Sequence, residues 1–220
     1  MTITYRGHSC FKLQGKVGAV VTDPYDDAVG FSLPSLSADM VTVSHQHHDH
    51  NHITKVTGTA RRERPFIIAH LGEYEVRGIS VFGVKSYHDN NQGSEQGVNS
   101  IFTIVVDGVR ACHLGDLGHE LDEATLNAIG SVDVLFVPVG GIFTIDAKQA
   151  VAVARAIDPY YVIPMHYRTP QHDQKAFGEM ATVDEFLREL GAEGVAPVDK
   201  LKVESERLPE EMEVVVLEKT

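Results

Sequence analysis

A cluster of histidines with one aspartate gives the strongest chemical signal in this chain. Three imidazoles and a carboxylate lie within six residues, in the HxHxDH pattern of His45, His47, Asp49 and His50, directly after the apolar run 40–43. Neutral imidazole and carboxylate are donors that divalent transition metals bind well. A tight turn after a strand can aim His45 and His47 at one ion while Asp49 and His50 face a second. The spacing therefore favours a two-metal site over a solvated histidine-rich loop.

Further candidate ligands stand at the ends of apolar segments. His88, Asp116 and His166 each follow a segment that predicts a strand. Ligands cluster in the loops after the strands of layered α/β sheets. One such residue is weak evidence, but three of them together with the HxHxDH cluster form a strong signal. His113 also ends an apolar segment and competes with His88 for a ligand position.

Length and composition indicate an ordinary globular protein. The chain has 220 residues, of which 43% are hydrophobic and 23% charged, enough for one domain over residues 1–220 with a substantial core. The N-terminus lacks the basic and apolar regions of a signal peptide, and no window approaches the ~18 apolar residues of a membrane span. Cys10 and Cys112 form no CxxC pair, which predicts buried thiols. These features predict a cytoplasmic protein without a membrane partner.

The charge balance argues against a nucleic-acid-binding protein. A formal net charge of −12 repels polyphosphate at long range, so extended nucleic acid is an unfavourable partner. The one dense basic patch contains Arg61, Arg62 and Arg64. We interpret this patch as a solvated loop face rather than a phosphate clamp.

Hydrophobic periodicity predicts a strand-rich first half and a second half in which strands alternate with helices. Asp107-Gly108 predicts a hairpin turn, because glycine readily adopts a positive φ. Asp146 with Gln149, and Thr182 with Glu185, predict capping boxes at two helix starts. The elements together predict a layered α/β sandwich. The predicted strands cover 3–5, 9–13, 19–22, 40–43, 66–69, 79–84, 100–106, 109–113, 132–137, 160–164 and 213–217, and the predicted helices follow Asp122, Asp146 and Thr182.

Motifs along nearly the whole chain resemble those of metallo-β-lactamase-fold hydrolases. Within that superfamily the chain is similar to the small single-domain bacterial and archaeal group related to the ascorbate-6-phosphate lactonase. The resemblance implies a four-layer αββα sandwich with two divalent metal ions, usually zinc, in a cleft at one edge of the two sheets. The motifs are Gly7-His8-Ser9, Thr22-Asp23-Pro24, the HxHxDH cluster, Tyr87-His88-Asp89, His113-Leu114-Gly115-Asp116, Val137-Pro138-Val139-Gly140-Gly141 and Ile163-Pro164-Met165-His166-Tyr167.

The resemblance also implies a role for each ligand. Asp116 would bridge the two ions. Asp23 resembles the family's first-motif aspartate, which orients the HxHxDH loop by hydrogen bonding, a support that metal ligands generally need. His88 matches the family order better than His113, which is then expected to support the ligands or lie in the core. The first ion would be bound by His45, His47 and His88, and the second by Asp49, His50 and His166.

The expected mechanism is hydrolysis by a hydroxide that bridges the two ions. Two divalent ions lower the pKa of a bridging water toward neutrality and polarise the substrate oxygen. Asp49 can accept a hydrogen bond from that hydroxide and orient its attack. The proton for the leaving group would come from a second metal-bound water, His8 or His119.

Several residues near the ligands are candidates for substrate contact. Tyr167 and Arg168 directly follow His166 and could contact an anion. Asn99 and the backbone amides around Gly140 and Gly141 could stabilise an oxyanion or phosphate.

The most concrete expected substrate is a small anionic ester, either a phosphodiester or a phosphate-bearing lactone. Nitrogen and oxygen ligands suit zinc, with manganese and iron as alternatives. A di-iron oxygen reductase is disfavoured because that group usually has Glu at the position of His47, and the processing nucleases because 220 residues leave no room for their extra domain. The alternatives are a non-catalytic metal-dependent ligand sensor and a nuclease acting on short nucleic acids. A homo-oligomer is compatible with the sequence.

Overall fold

Two β-sheets packed face to face form the centre of the structure, a computed structural model that describes residues 1–220. The α-helices are α1 Glu123–Ile129, α2 Ala147–Ile157 and α3 Val183–Leu190. Two 3-10 helices span Asp27–Val29 and Ile53–Lys55. The strands are β1 Thr2–Gly7, β2 Cys10–Gln14, β3 Ala19–Thr22, β4 Leu36–Ser37, β5 Met40–Thr42, β6 Val56–Thr57, β7 Phe66–Ile68, β8 Glu73–Val76, β9 Ile79–Tyr87, β10 Val98–Val106, β11 Val109–His113, β12 Val134–Pro138, β13 Tyr161–Met165, β14 Leu201–Lys202 and β15 Glu213–Val214.

The first sheet has six strands in the order β14-β1-β2-β3-β5-β7. Successive side chains of a strand face opposite sides of the sheet. Val20 and Met40 therefore belong to the interior between the sheets, whereas their neighbours Val21 and Val41 pack on the outer side. Because β3 and β5 run parallel, the loops that follow them lie side by side.

The second sheet has seven strands in the order β15-β13-β12-β11-β10-β9-β8. Strands β8 to β11 pair antiparallel, and β11, β12, β13 and β15 pair parallel. The predicted hairpin between β10 and β11 is confirmed, since Asp107 and Gly108 adopt φ values of 52° and 79°. Strands β9, β11 and β13 run in the same direction, so their carboxyl ends meet at one edge of the sheet.

Helices cover the outer face of the second sheet, where α2 packs against α3 and β12. The predicted capping box of α2 is confirmed by reciprocal hydrogen bonds between Asp146 and Gln149. The capping box predicted at Thr182 is wrong, because its side chain makes no cap hydrogen bond. The Thr182 hydroxyl instead donates to the carboxylate of Asp184 at 3.5 Å.

The outer face of the first sheet carries a thinner layer. A small apolar cluster on this face includes Tyr25, Leu33 and Leu36. The chain segments that supply it also contain the two 3-10 helices and the short paired strands β4 and β6. The layered sandwich expected from the sequence is thus confirmed, with irregular structure serving as one of its outer layers. Cys10 and Cys112 are buried free thiols. No helix is both long and apolar enough to cross a membrane.

The basic residues 61, 62 and 64 are exposed, as expected for a loop face. Arg61 pairs with the Asp39 carboxylate at 3.3 Å, and the guanidinium of Arg62 lies over the ring of Phe66.

Candidate metal centre

The HxHxDH loop is held in place by Asp23. Strand β3 ends just before Asp23 and strand β5 just before Val43 and Ser44, so the parallel pairing of these strands brings the two loops together. The Asp23 carboxylate accepts hydrogen bonds from the Ser44 N–H at 2.8 Å, the Ser44 hydroxyl at 2.5 Å and His50 Nδ1 at 2.9 Å. Asp23 is fully buried, so these bonds replace those that the carboxylate would make to water. The Asp23 side chain thereby fixes the loop that carries four of the predicted ligands.

Asp116 lies at the centre of the cluster. Its Oδ2 atom is 3.2 Å from His50 Nε2, 3.3 Å from His88 Nε2 and 3.2 Å from His166 Nε2. His45 Nε2 is slightly farther from the same oxygen, at 3.9 Å. One buried carboxylate oxygen therefore faces four imidazole nitrogens from three parts of the chain.

The donor atoms form two groups that meet at Asp116. The nitrogens of His45, His47 and His88 lie within 4.8 Å of one another. A second group with the same spacing contains Asp49, His50, His166 and also His8. A third combination, of His45, His50 and Asp116, joins the two groups. All seven residues predicted as ligands are thus brought together.

The donors fit a divalent transition metal. His45 Nε2, His50 Nε2 and Asp116 Oδ1 are buried and have no hydrogen-bond partner in the protein. Buried polar atoms without a partner are rare and costly, and at these positions they are lone pairs that a metal ion would use. The ring orientations agree with this use, because Nδ1 of His45 is bonded to Ser44 Oγ and Nδ1 of His50 to Asp23.

Charges within the cluster are strongly coupled. Burial alone would raise the pKa of Asp116, but His166 and His50 lower it well below its usual value. Burial alone would lower the pKa of His50, but the charges of Asp116 and Asp49 raise it well above its usual value. Burial and the neighbouring His50 lower the pKa of His45 to about 3, so His45 is neutral and keeps a lone pair at neutral pH.

Two predicted residues support the cluster from behind. The amide oxygen of Asn99 accepts a hydrogen bond from the Asp116 N–H at 3.0 Å, and its amide nitrogen donates to Leu114 O and Ser86 Oγ. His113 Nε2 donates to Ser9 O at 2.9 Å, and its Nδ1 accepts from the Gly115 N–H at 3.1 Å. Asn99 therefore positions Asp116 instead of facing a substrate. Both ring nitrogens of His113 are occupied by backbone groups.

His8, a candidate proton donor, is buried beside Asp49. Its Nε2 lies 3.2 Å from Asp49 Oδ2, and its backbone oxygen accepts from the Tyr5 hydroxyl at 2.8 Å and the His166 N–H at 2.9 Å. Burial and then His166 lower the pKa of His8 to about 3, so the imidazole is neutral and donates its single N–H to Asp49. His119 lies outside the cluster, with Nδ1 donating to Glu120 O at 2.7 Å and Nε2 accepting from the Tyr87 N–H at 3.2 Å.

Four residues predicted to contact substrate line other hollows. Tyr167 lines one together with Phe31, and Arg168, Gly140 and Gly141 line a second. Neither hollow shares a residue with the cleft over the metal cluster. The chain turns at His166, whose φ is +50°. Consecutive side chains of an extended segment also point to opposite sides. Tyr167 and Arg168 therefore point away from the cleft that His166 faces.

The cleft over the cluster has a volume of about 410 Å³ and includes walls that the sequence did not indicate. Besides the ligands, it is lined by Ala28, His48, Gln96, Phe143, Ala176 and Phe177. No lysine or arginine lines it. Gln96 belongs to a loop whose glycines and polar residues, 89–97, mark it as a turn region, but nothing in that composition indicates contact with the cleft.

Comparison with known proteins assigns the family. The family described as a beta-lactamase superfamily domain matches residues 2–166. A Thermotoga maritima protein described provisionally as a Zn-dependent hydrolase of the metallo-beta-lactamase superfamily has 36% sequence identity and a TM-score of 0.78, over 98% of this chain and 97% of that chain. The chain belongs to this superfamily.

Sequence relatives agree with the structural match. A protein of Methanoculleus marisnigri named UPF0173 metal-dependent hydrolase is 29% identical over 96% of this chain and 100% of its own length. A Thermococcus onnurineus protein of the same name is 27% identical over 82% of this chain and 94% of its own length. The chain is therefore a metal-dependent hydrolase of the metallo-β-lactamase superfamily with a His/Asp metal-binding cluster.

Proposed function

We propose that the chain is a dinuclear hydrolase, one domain over residues 1–220, that cleaves a small anionic ester. The observation that carries this proposal is the pair of donor groups that meet at the buried carboxylate of Asp116. Asp116 would be the carboxylate that both ions share. One ion would be held by His45, His47 and His88, and the other by Asp49, His50 and His166.

The chemistry follows from this arrangement. When bound, two divalent ions lower the pKa of water and polarise the substrate oxygen. Asp49 lies at the cleft with Oδ2 fixed by the N–H of His8, so its carboxylate is placed to accept a proton of the attacking water. His8 therefore positions Asp49. Because neither His8 nor His119 has a free N–H, solvent water in the cleft protonates the leaving group.

The walls of the cleft favour a substrate of low charge. No lysine or arginine lines the cleft, so the positive charge that faces the substrate comes from the metal ions. Phe143 and Phe177 give the cleft an apolar side. A phosphodiester, with one negative charge, fits these walls better than a phosphate-bearing lactone, whose dianionic phosphate would lack a cationic partner.

Zinc is the metal we propose, with manganese and iron as alternatives, since nitrogen and oxygen donors in this number suit all three. The Thermotoga maritima relative, described as Zn-dependent, supports this choice. The two buried cysteines, which form no disulfide, support a reducing compartment such as the cytoplasm.

Metal content and turnover test the proposal. Zinc-loaded protein should contain two ions per chain by elemental analysis and should hydrolyse bis-p-nitrophenyl phosphate faster than p-nitrophenyl phosphate, a lactone or a β-lactam. Asp116→Ala should lower both metal content and turnover, because it removes the shared carboxylate. His52→Ala is the matched control, since His52 lies beside the loop but belongs to neither donor group. A zinc-loaded protein that holds one ion or none, or that prefers the β-lactam, would overturn the proposal.

A further inference from the structure

A hollow with a volume of about 440 Å³ adjoins His8 and shares no residue with the cleft over the metal cluster. We call it the rear hollow and define it by His8, Phe31, His172 and Lys219 in its lining. The rings of His8 and His172 lie 5.4 and 5.6 Å from the ring of Phe177, which lines the cleft. Packed rings therefore separate the rear hollow from the cleft, and a ligand in one hollow does not occupy the other.

His172 carries a buried N–H group that has no acceptor in the protein. Its Nδ1 accepts a hydrogen bond from the Thr169 N–H at 3.0 Å and therefore holds the lone pair. Burial and then His166 lower the pKa of His172 to about 4, so the ring is neutral and its one proton is on Nε2. That atom is buried without a partner, which is rare and costly. Because His172 lines the rear hollow, a ligand there can supply the acceptor.

Lys219 brings a positive charge to the same hollow. Its ammonium lies 4.1 Å from the centre of the Phe31 ring, and that ring lies 4.9 Å from the ring of His172. Glycine at position 7 permits this approach, since a Cβ there would come within 2.6 Å of Phe31 and 2.8 Å of the Lys219 side chain. Burial lowers the pKa of Lys219, and no carboxylate counteracts that shift, so Glu218, the acidic residue of the lining, leaves this charge available. An N–H donor and a cation therefore both favour an anionic acceptor.

His8 adds an acceptor to these donors. Its one N–H is donated to Asp49, so its Nδ1 holds a lone pair, and this atom is buried without a partner. The rings of His8 and His172 lie 5.7 Å apart. A ligand that satisfies both rings therefore needs a hydrogen-bond donor close to its anionic group. A hydroxyl next to a carboxylate supplies this combination.

We propose that the rear hollow binds a small hydroxy acid with an apolar body. The carboxylate accepts the N–H of His172 and faces the ammonium of Lys219, and the hydroxyl donates to Nδ1 of His8. The apolar body packs against Phe31 and Leu217, which belong to the lining. Pockets of this kind, with an apolar lining and a few convergent polar groups, are typical of small-molecule sites. The rear hollow is thus a second ligand site, independent of the proposed hydrolysis at the metal cluster.

Calorimetry of zinc-loaded protein with three related ligands tests the rear hollow. Mandelate has the carboxylate, the hydroxyl and an apolar ring, mandelamide lacks the charge, and phenylacetate lacks the hydroxyl. Mandelate should bind about tenfold more tightly than mandelamide, because hydrogen bonds to a charged group are stronger than neutral ones. It should bind about fivefold more tightly than phenylacetate, because phenylacetate leaves the acceptor of His8 unpaired.

Two variants of the lining locate the binding site. His172→Asn keeps an acceptor for the Thr169 N–H but removes the Nε2–H, so it should weaken mandelate binding about tenfold. Lys219→Met should weaken it about threefold, the size expected for an exposed ion pair. Lys85→Met is the matched control, because the Lys85 ammonium also lies over an aromatic ring, that of Tyr87 at 5.0 Å, but Lys85 lines neither hollow. It should keep the native affinity.

The variants also separate the rear hollow from the metal cluster, since a hydroxy acid can coordinate zinc. Mandelate affinity that is native in both His172→Asn and Lys219→Met would place the ligand at the metal cluster and overturn the assignment. Equal affinities for mandelate and mandelamide, or no measurable binding of mandelate, would also overturn it. None of these measurements uses turnover, so each outcome leaves the proposed hydrolysis to its own test.

Discussion

Replacing Asp23 with asparagine should disable two of the proposed metal-binding histidines at once. The Asp23 carboxylate accepts the Ser44 hydroxyl proton, and Ser44 Oγ in turn accepts the Nδ1–H of His45. The same carboxylate accepts the Nδ1–H of His50. When a metal ion is bound, both histidines would therefore hold their proton on Nδ1 and offer the lone pair on Nε2, which faces Asp116. In Asp23→Asn, the amide group donates where the carboxylate oxygen accepted, which favours moving both imidazole protons to Nε2.

The size of the effect follows from this change of tautomer. Loss of one hydrogen-bonding partner behind a metal ligand typically lowers metal affinity about 10- to 100-fold. Asp23 supports one histidine in each donor group, so we expect the upper end, about 100-fold, or roughly 2.7 kcal/mol. Backbone strain does not change, because Asp23 has a φ of +37° and asparagine tolerates this region as aspartate does.

Competition with a chromophoric chelator measures the affinity for zinc. Ser44→Ala breaks only the connection to His45 and leaves the buried carboxylate in place, so it should cost about tenfold. Asp26→Asn is the control: Asp26 bonds His48 at 3.3 Å and caps a 3-10 helix, and asparagine caps equally well. Zinc affinity of Asp23→Asn within threefold of the native value would refute the reasoning.

Three further predictions concern residues near the cluster. His113→Ala should lower the free energy of unfolding in urea titrations by about 2–4 kcal/mol, because it leaves buried backbone groups without a hydrogen-bond partner. The metal content should stay native. A loss of metal would instead indicate that His113 is a ligand. His48→Ala and His52→Ala should each keep the native metal content in elemental analysis, since neither residue belongs to a donor group. The pKa of Asp89 is lowered from its usual 3.8 to about 2 by hydrogen bonds from the backbone N–H groups of Gln96, Gly93, Glu95 and Asn91. The Asp89 carboxylate therefore stabilises its loop above about pH 4, and this stabilisation is lost as the pH falls toward 2. Asp89→Asn should accordingly speed amide exchange of 91–96 at neutral pH, and unchanged exchange would contradict this account.

The side chains that form the candidate metal cluster could be predicted to lie together because their sequence signals are local. The HxHxDH spacing and the histidine or aspartate after each apolar segment are visible without knowledge of the fold. Strands that run in the same direction end at the same edge of a sheet, so residues at those ends meet in space. Asp116 and His166 illustrate this rule. They follow β11 and β13, which run in the same direction, and Asp116 Oδ2 lies 3.2 Å from His166 Nε2.

The substrate-facing residues could not be identified in the same way. Tyr167 and Arg168 follow a ligand in sequence, but adjacency along an extended chain places side chains on opposite sides. Phe143, Phe177 and Gln96 reach the cleft from irregular segments that carry no periodic pattern. Their contribution depends on tertiary packing, which the sequence pattern does not contain.

The fold shows the same division between local and tertiary information. A fully buried strand such as β12 is predictable because its burial leaves a continuous hydrophobic run. The two-residue strands β4 and β6 are not, because a two-residue pairing depends on the neighbouring chain rather than on its own pattern. Thr182 shows that a capping-box pattern can fail when the hydroxyl takes a different partner, in this case the side chain of Asp184.

Three residues of the cluster adopt a strained backbone conformation that sequence rules for turns do not predict. Asp23, His8 and His166 all have positive φ, at 37°, 55° and 50°, a region that usually selects glycine. Glycine at these positions would relieve the strain but would remove a carboxylate or an imidazole that the cluster uses. The chain therefore combines strained backbone with buried nitrogens that have no protein partner, and both raise the free energy of the folded state. Departures from local rules concentrate where function requires particular atoms, and here they coincide with the donor groups around Asp116.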